Sequence, residues 1–322
     1  MTIKNIEKLL ESHIDEGKQI IRTEITNLVE PGENYGGELF KIDVTIQESN
    51  TKKEEVWHLV GYNNLDRYIG YNLEDTKLLL RDLAIFQSTV VALKIKEPDV
   101  FNKEVKPFCN NYMIKTADNP FKKMILVIEE ILAESEEFKQ FIPKVKLAWN
   151  KAESKTEVRE PFATIVHRDL WLNNTMTKYE SGKPPKNMFF DFQLYDYGSP
   201  SVDVLNFIFT SVQTAVSKKY FDDLLHHYHA QFVSNLERLR CNTEPFSYTK
   251  FLKECKMESE IVLGWTMDFV SLVVFSKKGE ALQGDINFED PKFRQIVKDR
   301  MMPEAKERLF FIISQCHKCN WL

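Results

Sequence analysis

The hydrophobic pattern of this 322-residue chain changes between residues 60 and 73. Before that point, three runs rich in alternating apolar residues, 18–29, 37–47 and 54–60, are separated by stretches of turn-forming residues. A short helix is predicted ahead of them, at 5–14. The first part of the chain therefore predicts a small antiparallel sheet of three strands.

From residue 73 onward the apolar residues follow a helical period. In the stretch 73–96, Leu79, Leu83, Phe86 and Val90 recur at spacings of three and four, and Pro98 marks the end. Further helices are predicted at 122–134, 135–152, 202–216, 219–240, 249–275 and 303–319. The fold class that follows is α+β, with a small β part and a large helical part.

One segment of the helical part lacks the helical period of apolar residues. The polar sequence HRDLWLNN, 167–174, is followed by two strand-like stretches, 174–180 and 186–193, around the turn-forming stretch SGKPP. The segment therefore predicts a β-hairpin that follows directly on a loop of polar side chains.

The loop and hairpin contain the residues that phosphoryl transfer requires. HRDLWLNN matches the pattern H-R-D-x-x-x-x-N, in which Asp169 is the candidate base and Asn174 a candidate metal ligand. Asp191 ends the second strand of the hairpin and is the second candidate ligand, because magnesium prefers oxygen donors. Gln193 stands where protein kinases carry the glycine of D-F-G.

A structural role is the alternative for these residues. His167 and Asp169 could brace a turn, and Asp191 could cap a helix. This alternative leaves many polar groups together in an apolar frame, where each is costly without a partner. The pattern therefore favours a kinase-like loop.

The segment HRDLWLNN…FFDFQLYDYGSPSVDVLNF resembles the ecdysteroid kinase-like (CHK kinase-like) family, which is related to choline kinases and aminoglycoside phosphotransferases. Trp171, Gln193, Gly198, Pro200 and Asp203 match the family's motifs. LAIFQSTVVALK resembles the family helix before the catalytic loop, and PGENYGG its glycine-containing turn over the ATP phosphates.

The resemblance implies a protein kinase-like bilobal fold with a truncated β lobe at 1–60 and a helical lobe at 61–322. It implies ATP and Mg²⁺ as cofactors and a hydroxyl of a small molecule, ecdysteroid-like or choline-like, as the acceptor. The residues that would contact the nucleotide are Gly32, Glu33, Asn34, Tyr35 and Gly36. The residues that would support the loop are His167, Arg168, Trp171, Gln193 and Asp203; for Asp203, N-terminal capping of its own helix is the alternative.

The chain departs from the family's pattern in three places. Arg168 replaces a glycine, and Gln87 stands where the family usually has histidine. In addition, Val60 runs directly into GYNNLDRYIGYNLED, without the lysine strand, the glutamate helix and the hinge that the resemblance implies. Lys41 could replace that lysine, but a solvated strand residue is the simpler interpretation.

Three hypotheses follow from this missing segment. The chain is an active small-molecule kinase, a catalytically impaired kinase-like binding protein, or a splice variant or incomplete gene model of an active enzyme. The acceptor and the oligomeric state stay open. Trp171, Tyr195 and Trp265 suit an apolar acceptor, although core packing explains these aromatic residues equally well.

The overall composition narrows the classes of partner. A net charge of −5 without a basic run argues against nucleic acid. Five irregularly spaced cysteines, a charged start and an apolar stretch (261–275) that Asp268 interrupts favour a cytoplasmic protein outside the membrane. The sequences HHYH (226–229) and CHKC (316–319) do not match a zinc motif, and HHYH is expected on a solvated helix face.

Overall fold

The computed structural model describes residues 14, 17–27, 40–58, 65–109, 123–151, 158–179, 185–277 and 286–322. The chain divides into two compact units, one made of 1–63 with 178–185, and the other of 64–177 with 186–322. The predicted helix at 5–14 and the glycine turn at 31–37 lie outside the described residues, apart from Ile14.

The first unit contains the predicted antiparallel sheet, with strands β1 (Lys18–Asn27), β2 (Phe40–Glu48) and β3 (Glu54–His58) in the order β1-β2-β3. Alternate residues of β2 point to one face, and there Ile42, Val44 and Ile46 are buried against Ile20. Lys41 lies in β2, and its side chain is outside the described part of the structure.

The second unit is mostly helical. Its longer helices are α1 (Leu73–Lys96), α2 (Ile125–Ala133), α3 (Ile142–Lys151), α4 (Ser201–Ser211), α5 (Thr214–Arg238), α6 (Tyr248–Phe269), α7 (Pro291–Arg300) and α8 (Pro303–Lys318). Its strands are β4 (Thr164–Val166), β5 (Thr175–Lys178), β6 (Lys186–Phe189) and β7 (Asp196–Gly198); β4 pairs with β7, and β5 with β6. The mixed helical and β character confirms the predicted class.

Local signals explain where α1 begins and ends. The side chain of Asn72 accepts a hydrogen bond from the Asp75 N–H at 2.9 Å, and the helix ends at Lys96, ahead of Pro98. The predicted bounds of 73–96 are therefore confirmed.

Two predicted helices are shorter in the structure. The stretch 135–152 contains a short 3₁₀ turn, Lys139–Phe141, and is α-helical only from Ile142. Pro143 lacks an N–H and therefore fits the first turn of an α-helix, not its interior. The stretch 249–275 is α-helical to Phe269 and then widens into a π-helical turn, Val270–Val274. The sequence prediction also missed α7 and the short strands β4 and β7.

The histidine-rich stretch of α5 corrects a prediction. His229 is buried and its Nε2 lies 2.7 Å from the Phe246 carbonyl, so this part of HHYH is not a solvated face. His227 makes a similar contact, 2.9 Å from the Lys77 carbonyl. In the described part of the chain, no cluster of three or more His, Cys, Asp or Glu side chains could hold a metal ion, and none of its helices has the length and hydropathy that crossing a membrane requires.

A buried ion cluster attaches the segment before β4 to α6. The Arg159 guanidinium contacts the carboxylates of Glu254, at 3.2 Å, and Glu258. Glu258 is fully buried, and this burial raises its pKa, whereas Arg159 opposes the rise. The cluster therefore holds two carboxylates that would be costly to bury without the cation.

Replacing Arg159 with Leu should lower the free energy of unfolding by about 3–5 kcal/mol, because two buried carboxylates lose their cation. The loss should be larger at pH 8 than at pH 5. A buried carboxyl whose pKa is raised stabilises the fold only while it is protonated, and that stability is lost as pH rises through the folded pKa. Urea unfolding at both pH values measures the effect.

Lys218→Leu is the matched control, since it removes an exposed cation that pairs with Glu307 at 2.6 Å. It should cost less than about 1 kcal/mol at either pH. Equal losses for the two variants would contradict a special role for the buried cluster.

Candidate active site

The polar loop 167–174 begins where β4 ends. The pairing of β4 with β7 places Val166 opposite Asp196, and the Thr164 hydroxyl donates to the Gln87 carbonyl of α1 at 2.7 Å. The start of the loop is therefore fixed by a neighbouring strand and by the longest helix before it.

The carboxylate of Asp203, near the start of α4, binds the loop backbone. Its Oδ2 accepts the His167 N–H at 2.7 Å, and its Oδ1 accepts the Arg168 N–H at 2.9 Å. Asp203 is fully buried, and burial raises its pKa while the two backbone N–H groups oppose that rise. Its side chain therefore bonds the backbone of the loop and makes no hydrogen bond that caps α4.

A third donor reaches Asp203 from α1. Gln87 Nε2 donates to Asp203 Oδ2 at 2.8 Å, and Gln87 Oε1 accepts from the Tyr228 hydroxyl of α5. Because Oε1 is the acceptor for Tyr228, the amide must present its N–H side to Asp203. Asp203 therefore faces three donors, which favours its ionised form.

Arg168 adopts a backbone conformation that glycine favours. Its φ of +68° is in the left-handed region, which costs an ordinary residue about 1–2 kcal/mol. The family that the chain resembles in sequence has a glycine at this position. The cost is offset by the Arg168 N–H bond to Asp203 and by the guanidinium, which contacts the Asp196 carboxylate at 3.3 Å.

Asp169 and Asn174 contact each other across the loop. Asn174 Nδ2 donates to Asp169 Oδ2 and to the Asp169 carbonyl, both at 2.8 Å. Burial raises the pKa of Asp169 to about 6, with His167 and the Asn174 hydrogen bond opposing and the charges of Asp191 and Asp203 adding to the rise. Asp169 is thus a carboxyl that exchanges its proton near neutral pH.

Asp191 is held beside the loop through its neighbour Phe190. The Phe190 N–H donates to the Asn174 carbonyl at 3.2 Å, and the Phe190 carbonyl lies 2.8 Å from His167 Nε2. The Asp169 N–H donates to His167 Nδ1 at 3.3 Å, so Nε2 is the ring nitrogen that donates to the Phe190 carbonyl in this arrangement. Asp191 follows with φ +61°, and its charge raises the pKa of Asp169, so the two carboxylates lie within electrostatic range.

The oxygen atoms of Asn174 and Asp191 fit a hard cation. Both hydrogen bonds of the Asn174 side chain use Nδ2 as the donor. Among the described residues, none donates a hydrogen bond to Asn174 Oδ1. Asp191 is exposed, and its hydrogen-bond partner is Gln193 Nε2, at 3.4 Å. An amide oxygen and a carboxylate are oxygen donors of the kind that Mg²⁺ prefers.

Trp171 packs into the core and not into an open pocket. It is buried, and its ring meets Phe269 of α6 edge-on at 4.8 Å between centroids. The adjacent Leu170 carbonyl accepts a hydrogen bond from Asn206 of α4 at 3.0 Å. Trp171 therefore anchors this part of the loop to α6.

Two groups of predicted site residues remain: Gln193, and the five residues of the glycine turn. Gln193 lies near Asp191, whereas Gly32, Glu33, Asn34, Tyr35 and Gly36 lie outside the described residues. The sequence prediction did not include Gln87 and Tyr228 in the site. Gln87 could have been found as the polar member of a buried helix face, between Leu83 and Val91, but Tyr228 carries no such signal.

A model of the ecdysteroid kinase-like family matches residues 55–241, more than half of the chain. The chain belongs to the ecdysteroid kinase-like family. The matched span includes every residue of the loop and hairpin, from His167 to Gln193, together with Gln87 and Asp203.

Solved structures similar to this ecdysteroid kinase-like chain include a kinase and a phosphotransferase. Plasmodium vivax ethanolamine kinase has 10% sequence identity and a TM-score of 0.39, over 92% of this chain and 86% of that chain. A spectinomycin phosphotransferase in complex with ADP and spectinomycin has 11% identity and a TM-score of 0.41, over 100% of both chains. No curated protein matches the chain.

The left-handed backbone at residue 168 can be tested with two substitutions. Arg168→Gly and Arg168→Ala both remove the contact with Asp196, and they differ in the cost of φ +68°. The glycine variant should be more stable by about 1 kcal/mol, measured by urea unfolding.

The same pair of substitutions at Lys253, an exposed residue within α6, is the control. There alanine should be the more stable by about 1 kcal/mol, as in any helix interior. An alanine variant at residue 168 that matches or exceeds the glycine variant would refute the strained backbone.

Proposed function

We propose that the chain is an ATP- and Mg²⁺-dependent phosphotransferase that phosphorylates a hydroxyl of a small molecule. The observation that carries the proposal is the hydrogen-bonded arrangement of Asp169, Asn174 and Phe190, which brings the carboxylate of Asp191 into electrostatic range of Asp169. Membership of the ecdysteroid kinase-like family supports the same class of reaction.

Asp169 is the proposed base. Its carboxylate orients the acceptor hydroxyl and takes its proton as the oxygen attacks the γ-phosphate of ATP. A pKa of about 6 suits this task, because the group is ionised at neutral pH and still basic enough to accept a proton. Asn174, which donates to Asp169 Oδ2, fixes the direction of the carboxylate.

Asn174 Oδ1 and the carboxylate of Asp191 are the proposed ligands of Mg²⁺. When bound, the cation neutralises charge on the nucleotide phosphates. The rest of the loop is support: Asp203, His167 and Arg168 fix its backbone, Trp171 its position on the core, and Gln193 the side chain of Asp191.

The family resemblance leads us to propose three further features. The turn Gly32, Glu33, Asn34, Tyr35 and Gly36 contacts the nucleotide, residues 1–60 form a small lobe and residues 61–322 a helical lobe, and the enzyme is cytoplasmic. A second function has its own support. After Val60 the sequence does not match the lysine strand, glutamate helix and hinge that the family resemblance implies, and a kinase without them should lose both affinity for ATP and its positioning. A catalytically impaired kinase-like protein, natural or truncated, is therefore the alternative.

The experiment is transfer of radiolabelled γ-phosphate from Mg-ATP to water, to an ecdysteroid and to choline. Asp169→Asn should lower the rate by about 10²- to 10⁴-fold, because the substitution removes the base. In the wild type, kcat/KM should fall as pH drops below about 6, where the Asp169 carboxylate becomes protonated in the free enzyme.

Asp222→Asn is the control, since it removes an exposed carboxylate on α5 and should leave both the rate and the pH profile unchanged. Binding of Mg-ATP without turnover would support the impaired alternative. Turnover that Asp169→Asn does not alter would refute the assignment of the base.

A further inference from the structure

The helix α1 contacts the hairpin segment on both sides of Asp191. Before Asp191, Asn187 of β6 donates a hydrogen bond to the carboxylate of Asp82 at 2.9 Å. After Asp191, the ring of Phe192 meets the ring of Phe86 edge-on, at 5.7 Å between centroids. Asp82 and Phe86 are four residues apart in α1, so they lie on one face of the helix. One face of a single helix therefore holds the chain on either side of Asp191.

The side chain of Asn187 joins three elements of the second unit. Its Nδ2 donates to Asp82 Oδ2 on α1, and its Oδ1 accepts from the hydroxyl of Thr177 on β5 at 2.9 Å. Because a carboxylate accepts hydrogen bonds, the amide nitrogen faces α1 and the amide oxygen faces β5. A shift of β6 by one residue would turn Asn187 to the opposite face and break both bonds. Asn187 therefore fixes the register of β6 against both α1 and β5.

The neighbouring Arg81 orients the carboxylate of Asp82. Arg81 Nε and Nη2 donate to Asp82 Oδ1 at 2.9 and 2.8 Å, which leaves Oδ2 for Asn187. The side chains of Arg81 and Asp82 are 41% and 24% exposed, so this ion pair is partly open to solvent. Such ion pairs add little to stability, and the hydrogen bond to Asn187 is the contact of Asp82 that bears on the hairpin.

The carboxylate of Asp191 depends on these neighbours for its position. Its side chain is exposed, and its bond to Gln193 Nε2 is long, at 3.4 Å. The backbone is fixed instead, because Phe190 bonds the Asn174 carbonyl of the polar loop 167–174 and Asn187 bonds α1. Magnesium demands near-ideal octahedral geometry, so a small displacement of a ligand carboxylate weakens its binding.

We propose that Asp82 and Phe86 of α1 are positioning residues for the divalent cation site. They act through the residues that they contact on the hairpin, and thereby set the place of the Asp191 carboxylate relative to Asn174 Oδ1. The inference rests on the proposed function, because it takes Asp191 as a ligand of Mg²⁺. It adds a determinant of metal affinity that lies on α1, outside the polar loop and the hairpin.

The test measures binding of Mn²⁺ to the purified full chain by electron paramagnetic resonance, which detects the free cation. Mn²⁺ is a suitable probe because it takes the same carboxylate and carbonyl ligands as Mg²⁺. Asp82→Leu should weaken Mn²⁺ binding about three- to tenfold, the equivalent of one hydrogen bond lost from the support of the site. Phe86→Ala should also weaken it. The melting temperature of Asp82→Leu should fall by less than about 4 °C, because the lost bond is half-exposed.

The variant Asp82→Asn separates the hydrogen bond from the charge. Asparagine keeps an acceptor oxygen for Asn187 Nδ2 and removes the ion pair with Arg81. Binding of Mn²⁺ by this variant should therefore stay within about twofold of the wild type. A loss in Asp82→Asn as large as that in Asp82→Leu would mean that the carboxylate acts by its charge, and this would overturn the positioning role.

Asp222→Leu is the matched control. It removes a helix carboxylate that also pairs with a cation, Lys318 at 3.5 Å, and it leaves α1 intact. Binding of Mn²⁺ should be unchanged in this variant. Wild-type affinity in Asp82→Leu, or an equal loss in Asp222→Leu, would overturn the proposal.

The positioning role and the metal site can fail separately. Binding of Mn²⁺ that Asp191→Asn leaves intact, or no binding by the wild type, would reject the metal site of the proposed function. Hydrogen exchange of the Phe190 N–H, which bonds the Asn174 carbonyl, then decides without a metal whether Asp82 positions Asp191. Exchange about three- to tenfold faster in Asp82→Leu but not in Asp82→Asn would retain that positioning, and equal exchange in both variants would reject it.

Discussion

The contact between the Asp203 carboxylate and the backbone N–H groups of His167 and Arg168 is the one on which the rest of the site depends. It lies inside the core, where losing a hydrogen bond leaves a buried group unsatisfied. It fixes the two residues that precede Asp169 and so fixes the direction in which the loop leaves β4. Asp169 and Asn174 can bond each other only if the loop turns there.

The Asp203 carboxylate is also oriented by hydrogen bonds from residues distant in the sequence. Tyr228 orients the amide of Gln87, and Gln87 presents a donor to Asp203, so that α1 and α5 both help to determine its charge state. The same contact helps to offset the cost of a left-handed backbone at Arg168. A chain of buried hydrogen bonds thus links the helical core to a single turn of the polar loop 167–174.

The features that the sequence could predict are those set by residues close together in the chain. The bounds of α1 follow from a helical period with Asn72 at one end and Pro98 at the other, and the loop residues follow from a motif eight residues long. The same holds for the hairpin of β5 and β6, whose strands flank a stretch of turn formers.

What the sequence could not predict is set by contacts between distant segments. The strands β4 and β7 have three residues each, too short for a periodic signal, and they form because they pair with each other. The π-helical turn after Phe269 depends on Arg67, about 200 residues earlier in the chain. Tyr228 joins the site only because α5 packs beside α1, and nothing in its own neighbourhood of the sequence indicates it.

The central claim is that one buried carboxylate holds the polar loop 167–174, and amide hydrogen exchange at His167 and Arg168 tests it most directly. In Asp203→Asn, which keeps the size of the side chain but only one acceptor oxygen, at least one of these amides should exchange about 10- to 100-fold faster. The Ala163 N–H, bonded to the Arg159 carbonyl at 3.1 Å, should be unaffected. Unchanged protection of both loop amides in this variant would contradict the account.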